Sequence, residues 1–360
     1  MTTKLIPLLV LPYLVYAKIF RYMNPYHQIS ISLLSKRAKA IVKTVNTKAE
    51  LITCQIGIEI TIRAVWTNST STITRIYLRS AQDKSFSRNL DDCEIEHVDF
   101  QRFEGRNLDI AESQKWRNVS WRVKDWVDHF RDVVNKTEEF DILRFGEGSH
   151  RYDVKSVREI IGRFQQLTFN ESCPEESFHQ NVLVSFLPVT KQLVLTRDPH
   201  DNEIFETVLR KKFDSLEIGS RNIFHCTLND LLKMRSRCII LNRALSTDFI
   251  EGIKGNLNQF LKLWIQNKAN RNLEYMKIVS NEQILRSILE GINYQRFAGV
   301  KEQRTFIHSK NVFSMGSTRA KVNYKKFQGG LDIRRCDGKV GTLHFDRRGN
   351  CSIIQFFVWN

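Results

Sequence analysis

Short apolar segments recur along the middle of the chain at a nearly constant interval. Each has the form apolar-x-apolar and predicts a short strand, while the spacing of apolar residues before each one predicts an amphipathic helix. The first four intervals are 24, 26, 23 and 23 residues, and the fifth is 37. The predicted strands begin at Leu143, Leu167, Leu193, Leu216, Ile239 and Met276.

Two architectures fit this alternation of helix and strand. A single unit cannot bury its own apolar face, so neighbouring units must stack, and a period of about 20 to 29 residues is typical of leucine-rich-repeat solenoids. The Asn of the usual repeat consensus is absent, so we predict a leucine-rich-repeat-like array over residues 120–280. A doubly wound α/β domain stays open as the alternative, because parallel strands joined by crossover helices give the same pattern.

The segment 5–46 has a helical pattern with two interruptions. Pro12 suits the first position of a helix, and Asn24 followed by Pro25 ends one helix and caps the next. A third helix begins near Lys36, where apolar residues recur three and four apart. About forty residues rarely bury enough surface to fold well alone. We therefore expect a partner to cover the apolar residues left over, such as Leu8, Leu9, Phe20 and Tyr26.

Strand patterns dominate on both sides of the repeat. In the segment 50–112, isoleucines alternate with other residues from Ile56 to Ile62, which predicts one half-buried strand with 73–78 as its partner. The tail, 329–359, predicts a three-stranded meander. The predicted fold is therefore mixed, α+β or α/β, with a three-helix domain, a β-rich connector, the helix–strand array and a small C-terminal sheet that caps the solenoid.

Composition excludes several classes of protein. The 360 residues are 42% hydrophobic and include 23 Phe and 6 Trp, unlike a disordered or collagen-like chain. No apolar run reaches the roughly 18 to 20 residues of a membrane-spanning helix, so we predict no membrane span. The formal net charge is +16, and 12 basic against 4 acidic residues lie in positions 301–360. This charge favours acidic partners without identifying one.

The seven cysteines predict an intracellular protein. No two are closer than 12 positions, which gives neither a disulfide framework nor a zinc site, and reduced thiols are typical of the cytoplasm and nucleus. The alternative is a secreted glycoprotein, because residues 5–17 have features of a signal peptide. Pro7 and Pro12 interrupt that run, however, and the helical pattern continues beyond it. Glycosylation sequons begin at Asn68, Asn118, Asn135 and Asn170.

The sequence contains no motif that indicates catalysis. Gly146, Glu147 and Gly148 stand between a predicted strand and helix, as in dinucleotide-binding loops, but Arg151 occupies the position of the third glycine. The Asp, His and Glu residues of 198–203 fit a loop and a helix cap better than a catalytic cluster. We therefore predict that the chain is not an enzyme and has no catalytic residue, cofactor or metal.

Three segments near the N-terminus resemble an F-box: Pro7 to Pro12, Ile19 to Pro25 and Leu33 to Arg37. The form is that of the large nematode family with an F-box-associated type 2 region downstream, although Tyr13 stands where many F-boxes have an acidic residue. The resemblance implies a Skp-type adaptor as partner and, through it, the cullin scaffold of a ubiquitin ligase. The predicted adaptor-contact or support positions are Leu8, Leu11, Pro12, Leu14, Ile19 and Phe20.

A second segment, 257–278, resembles the F-box-associated type 2 region itself. It has a helix that contains Trp264, a polar turn, and a strand that follows Asn272, Leu273 and Glu274. The order of the two resemblances implies a substrate-recognition subunit of an SCF-type ubiquitin ligase, whose C-terminal part recruits an unidentified protein client.

The central residues of the predicted strands are candidates for client binding. In a stacked array they point away from the helices, into the concave face of the sheet. The row mixes charged and apolar residues, which suits a protein partner better than a phosphate backbone. The candidates are Arg144, Glu217, Ile240 and Lys277.

The competing interpretation is a nucleic-acid or phospholipid-surface binder. Basic and aromatic residues are interleaved in the tail, as they are in proteins that bind single strands. Nucleic acid is the less favoured partner, because the row of central strand residues is not uniformly basic. The tail residues are Tyr324, Lys325, Lys326, Phe327, Arg334, Arg335, Arg347 and Arg348.

Overall fold

The computed structural model describes most of the chain, and the residues that it describes fall into two compact units. The first unit runs to Phe164 and the second begins at Gln165. The described ranges are 11–66, 72–80, 88–104, 109–116, 120–134, 139–170, 172–173, 176–196, 202–219, 226–242, 250–280, 287–297, 303–312, 322–348 and 351–359.

Three short helices open the first unit, as predicted. They are α1 (Tyr13–Tyr22), α2 (Pro25–Ser32) and α3 (Lys36–Val45). The Asn24 side chain accepts a hydrogen bond from the Tyr26 backbone N–H at 2.9 Å, and the Ser35 hydroxyl accepts one from that of Ala38 at 3.1 Å. Each cap satisfies an amide that has no partner within its helix, which sets where α2 and α3 begin. Pro12 precedes α1 instead of opening it.

Six hydrogen-bonded strands and two further helices complete the first unit. The strands are β1 (Leu51–Ile56), β2 (Ile60–Trp66), β3 (Thr72–Ser80), β4 (Ile95–Glu104), β5 (Asp109–Trp116) and β6 (Glu139–Phe145). The helices are α4 (Val123–Val133) and α5 (Val154–Ile161). Strands β1 to β5 form an antiparallel meander in chain order, and β6 pairs with β1 in parallel.

The segment 56–62 is not the single strand that the alternating isoleucines predict. The first strand ends before Gly57, and the second starts at Ile60. The chain comes very close to a neighbouring loop here: a Cβ on Gly57 would lie 2.9 Å from the carbonyl oxygen of Glu147. The backbone N–H of Ile58 donates to that same oxygen at 2.6 Å. This contact fixes a turn between two antiparallel strands and leaves the Ile58 side chain exposed.

Five parallel strands, which follow one another in chain order, form the centre of the second unit. They are β7 (Arg163–Phe169), β8 (Gln192–Leu195), β9 (Ser215–Ile218), β10 (Cys238–Leu241) and β11 (Tyr275–Ser280). A helix precedes each of the last four strands: α6 (Glu176–Phe186), α7 (Asn202–Arg210), α8 (Leu228–Lys233) and α9 (Ile250–Ile265). The predicted alternation of helix and strand is confirmed, and the fold is mixed α/β.

The strands of the second unit align so that their apolar residues form rows. Leu193 lies opposite Leu216, which lies opposite Ile239, and Ile239 lies opposite Met276. All four are buried, on the face opposite to that of the central strand residues. The helices contribute large side chains to the interior, of which Trp264 in α9 is the largest fully buried one.

The rest of the second unit extends the sheet and adds a separate hairpin. Its strands are β12 (Gln295–Arg296), β13 (Gln303–Val312), β14 (Val322–Gln328), β15 (Leu331–Arg334), β16 (Val340–Arg348) and β17 (Cys351–Val358). Strands β15 to β17 are the meander that the tail predicts, and β17 pairs antiparallel with β11. The hairpin of β13 and β14 was not predicted from the sequence.

Candidate functional site

Helix α1 presents exposed apolar side chains to solvent. The side chains of Leu14 and Tyr22 are 79% and 84% exposed, and Val15 and Ile19 are exposed as well. Val15, Ile19 and Tyr22 are four and three residues apart, so they lie on one side of the helix. An apolar stripe of this kind on a short helix is typical of a protein-binding surface.

The predicted adaptor residues divide into surface and interior positions. Leu14 and Ile19 belong to the exposed surface of α1, with Pro12 exposed and Leu11 half-buried just before the helix. Leu8 lies outside the described residues. Phe20 is fully buried, which makes it a support of the helix and not a contact.

Polar contacts fix the end of α1 against α2. The Gln28 side-chain amide donates to the carbonyl oxygens of Phe20 at 2.8 Å and Met23 at 3.0 Å. Its oxygen accepts a hydrogen bond from the Thr47 hydroxyl at 2.7 Å. Gln28 is buried, so these bonds satisfy carbonyl groups at the carboxyl end of the helix where water does not reach the side chain.

The three helices also pack onto the rest of the first unit. Tyr26 of α2 stacks on Phe100 of β4, with ring centroids 4.4 Å apart and an interplanar angle of 10°. Lys39 of α3 forms an ion pair with Asp132 of α4 at 2.8 Å. The surface of α1 is therefore carried by helices that are anchored to a folded unit.

A buried histidine adds a third anchor. The Ser32 hydroxyl donates to the Ile29 carbonyl oxygen at 2.6 Å, so the Nε2–H of His129 donates to the Ser32 oxygen at 2.8 Å. Burial lowers the pKa of His129 from 6.5 to about 4, and the positive charge of Lys39 acts in the same direction. His129 is therefore neutral at physiological pH.

Three of the four predicted client-binding residues lie next to each other in the second unit. Ile240 is paired in register with Glu217 on one side and with Lys277 on the other. The predicted row is therefore present over these three strands. Arg144 lies on β6 of the first unit, opposite Gln55.

The hairpin of β13 and β14 covers part of this row. Phe306 and Phe327 pack with Ile240 in one buried cluster, which also contains Cys238, Tyr275 and Phe357. Only 7% of Ile240 and 4% of Glu217 is exposed. The prediction that these side chains face an open concave surface is therefore wrong for both. Ile240 is covered by the hairpin of β13 and β14, which follows it by more than 60 residues in the chain.

Glu217 has a polar partner on the same face. The Asn242 side-chain amide donates to the Oε1 atom of Glu217 at 2.6 Å. Lys277 is only half-buried and lies in register opposite Gln355 of β17. The part of the row nearest to solvent is therefore Lys277.

Several basic and aromatic residues of the tail are used inside the second unit. Phe327 stacks on Phe357 with ring centroids 4.3 Å apart, and the ammonium of Lys325 lies 4.0 Å from the centre of the Tyr275 ring. Arg335 is buried, where it forms an ion pair with Asp337 and stacks on Trp264. These residues do not form the open basic surface that nucleic-acid binding requires.

The remaining tail residues are more accessible. Tyr324, Lys326 and Arg334 are exposed, and the side chains of Arg347 and Arg348 lie outside the described part of the structure. In the portion of the chain that the structure describes, no helix is long and apolar enough to cross a bilayer. Within that same portion, no group of three or more His, Cys, Asp or Glu side chains is arranged to hold a metal ion.

Comparison with known families accounts for both resemblances. The profile described as "F-box domain" matches residues 8–50, which include α1 to α3. The profile described as "F-box associated" matches residues 204–278, from α7 to β11. The chain contains an F-box and an F-box-associated type 2 region. No curated protein and no solved structure matches the chain significantly.

The F-box-associated region is longer than the sequence analysis indicated. The resemblance was found for 257–278, whereas the matched region begins at residue 204 and includes three helix–strand units. The earlier part consists of short helices and four-residue strands, which contain few distinctive side chains from which a family could be identified.

Proposed function

We propose that the protein is the substrate-recognition subunit of an SCF-type E3 ubiquitin ligase of the nematode F-box kind. The observation that carries the proposal is the exposed apolar surface of α1, in the segment that matches the F-box and in the same chain as an F-box-associated region. A Skp-type adaptor is the proposed partner of this surface, and the adaptor links the chain to a cullin scaffold.

In this proposal the adaptor contacts are the accessible residues before and along α1. Leu11, Pro12, Leu14 and Ile19 make contact, together with Leu8, while Phe20 holds the helix in place from the interior. Val15 and Tyr22 join the contact set because they share the exposed surface. Burying such side chains contributes about 25 cal/mol per Å2 of apolar surface, which suits a stable protein interface.

We further propose that the helix–strand array is leucine-rich-repeat-like and that it recruits the client. The strand order supports this choice over a doubly wound domain, because β7 to β11 follow one another without the reversal of order that a doubly wound sheet contains. Of the four predicted client-binding residues, we retain Lys277 of the second unit and Arg144 of the first as proposed contacts because both are only half-buried, whereas Glu217 and Ile240 are buried and serve the interior.

The chain itself is proposed to carry out no chemistry. It raises the effective concentration of its client near a ubiquitin-loaded enzyme by binding both the client and the adaptor. The proposed location is the cytoplasm or the nucleus, because the wide spacing of the cysteines along the chain fits a reducing environment.

Co-purification tests the proposal. The full chain is mixed with a purified Skp-type adaptor and the complex is isolated by size exclusion. We expect a one-to-one complex with the wild-type chain and none with Leu14→Glu, because a carboxylate cannot be buried at an apolar interface without large cost. Val184→Glu is the matched control, since Val184 is an exposed aliphatic residue on α6. Equal recovery with Leu14→Glu and wild type would contradict the proposal.

A further inference from the structure

A pocket of about 380 Å3 opens at one edge of the sheet in the second unit. The loops that precede β9, β10, β11 and β16 line it. Strands β9 to β11 are parallel, and β16 runs in the same direction because β17 is antiparallel to both β11 and β16. The amino ends of these four strands therefore share one edge, which brings together loops that are far apart in sequence.

Half of the residues that these loops contribute to the lining are cationic. Arg237 forms an ion pair inside the protein: its Nε atom donates to Oε1 of the buried Glu274 at 2.8 Å. With Asp214 as the only other acidic group of the lining, the net formal charge of the pocket is +3. The five cationic residues are Lys212, Arg235, Arg237, Arg271 and Lys339.

Four of these cations are available to a ligand. Among the residues that the structure describes, none of Lys212, Arg235, Arg271 and Lys339 forms an ion pair with a carboxylate. Arg271 is nevertheless oriented, because its Nε atom donates to the carbonyl oxygen of Asn267 at 3.1 Å. Like charges gathered around a concave site repel each other and concentrate positive potential there, and an anion relieves that repulsion.

The residue types indicate which anion. Guanidinium groups present paired donors that match the oxygens of a phosphate group, and lysine adds mobile charge. The floor of the pocket includes the buried side chains of Phe213 and Leu273, and its volume lies within the range of small-ligand sites. Three of the four loops lie inside residues 204–278, the F-box-associated region.

We propose that this pocket binds a phosphate-class anion. The group is either a phosphorylated side chain of a bound protein or a free phosphorylated small molecule. The first source rests on the proposed function, since the pocket would then recognise a phosphorylated residue of the client. Binding of the phosphate group itself is independent of the adaptor.

Isothermal titration with the full chain tests the proposal. The probes are inorganic phosphate, a pentapeptide with one phosphoserine between alanines, the same peptide with unmodified serine, inositol hexakisphosphate, and acetate. The variant is Arg235→Gln with Arg271→Gln, and the matched control is Lys326→Gln with Arg334→Gln, which removes two exposed cations from the same unit but outside the pocket. Circular dichroism checks that each variant keeps its fold.

We expect phosphate and at least one of the two larger phosphorylated probes to bind, with affinity at least tenfold lower in the pocket variant and unchanged in the control variant. Tighter binding of the phosphopeptide assigns the site to a modified protein, and tighter binding of inositol hexakisphosphate assigns it to a small molecule. Three results would overturn the proposal: no binding of phosphorylated probes, equal binding of acetate and phosphate, or an equal loss in both variants. None of these results depends on adaptor binding. A failure of this proposal can therefore be distinguished from a failure of the co-purification test.

Discussion

Two tyrosines four positions apart, Tyr22 and Tyr26, have opposite roles in the F-box. Tyr22 is the most exposed apolar side chain described on α1, whereas Tyr26 is fully buried against Phe100. We expect Tyr26→Ala to lower the free energy of unfolding by about 3 to 5 kcal/mol, because it leaves a cavity between α2 and β4. Tyr22→Ala is expected to change it by less than about 0.5 kcal/mol. Urea unfolding followed by fluorescence measures the free energy of unfolding of both variants. Equal losses in the two variants would show that Tyr26 is not packed against Phe100 as described.

His129 makes part of the stability of the first unit dependent on pH. The pKa of His129 is about 4 in the folded chain, whereas an imidazole without these contacts, as in the unfolded chain, has a pKa of 6.5. The unfolded chain therefore binds the proton more tightly than the folded chain does. The stabilising contribution is therefore complete above pH 6.5 and is lost as the pH falls toward 4. Between pH 7 and pH 5 we expect a loss of about 1 to 2 kcal/mol.

The variant His129→Gln separates this effect from other titrating groups. Glutamine keeps an N–H donor for Ser32 but does not titrate. Its loss of stability between pH 7 and pH 5 is expected to be smaller than that of wild type by about the same 1 to 2 kcal/mol, as measured by urea unfolding at the two pH values. Identical pH dependence in the two proteins would show that His129 is not responsible.

The turn between β1 and β2 depends on the absence of a side chain at Gly57. A methyl group there meets the backbone oxygen of Glu147 at 2.9 Å, and backbone cannot swing aside as a side chain can. We expect Gly57→Ala to destabilise the chain by about 1 to 3 kcal/mol. Gly255→Ala in α9 is the control, because no atom lies within 4 Å of the added methyl group. Alanine favours the helix more than glycine does, so this variant is expected to be more stable than wild type by up to about 1 kcal/mol. Thermal unfolding of both variants measures the change in stability. A stabilising effect of Gly57→Ala would show that the contact with Glu147 does not exclude a side chain at this position.

The hairpin of β13 and β14 allows a second test, which asks whether Phe327 covers the face of the sheet that contains Ile240. Phe327 faces the sheet and is buried, while Tyr324 on the same strand is exposed. Phe327→Ala is expected to cost about 3 to 5 kcal/mol and to expose Ile240, whereas Tyr324→Ala is expected to be nearly neutral. Hydrogen exchange of β10 and β11 measures the exposure. Unchanged protection in Phe327→Ala would show that the hairpin is not the cover of this face.

These elements also show what the sequence predicts and what it does not. Helices and strands of the array follow from apolar periodicity, which is local, so each predicted strand segment lies inside one of the strands β6 to β11, although β6 and β7 begin four residues earlier than predicted. The cover of Ile240 comes from Phe306 and Phe327, and periodicity says nothing about contacts between distant segments. The alternation from Ile56 to Ile62 was misleading for the same reason, because the turn is set by a contact with Glu147.

The positive charge of the molecule has two different uses. Some cations form ion pairs within the second unit, as Arg335 does with Asp337 and Arg304 does with Asp332, each at 2.8 Å. Others converge on the pocket at the edge of the sheet. The sequence predicted an acidic partner from the net charge of +16, but only the strand order brings Arg235 and Arg271 together.

We propose that the exposed surface of α1 binds a Skp-type adaptor through apolar contacts. The most direct measurement is the dissociation constant of the full chain and the purified adaptor at low and high salt, for wild type, for Leu14→Ala with Ile19→Ala, and for Val184→Ala. We expect a dissociation constant that changes little with salt, because apolar contacts are not screened, and at least tenfold weaker binding in the α1 variant alone. Binding that falls steeply with salt, or that the α1 variant leaves intact, would contradict it.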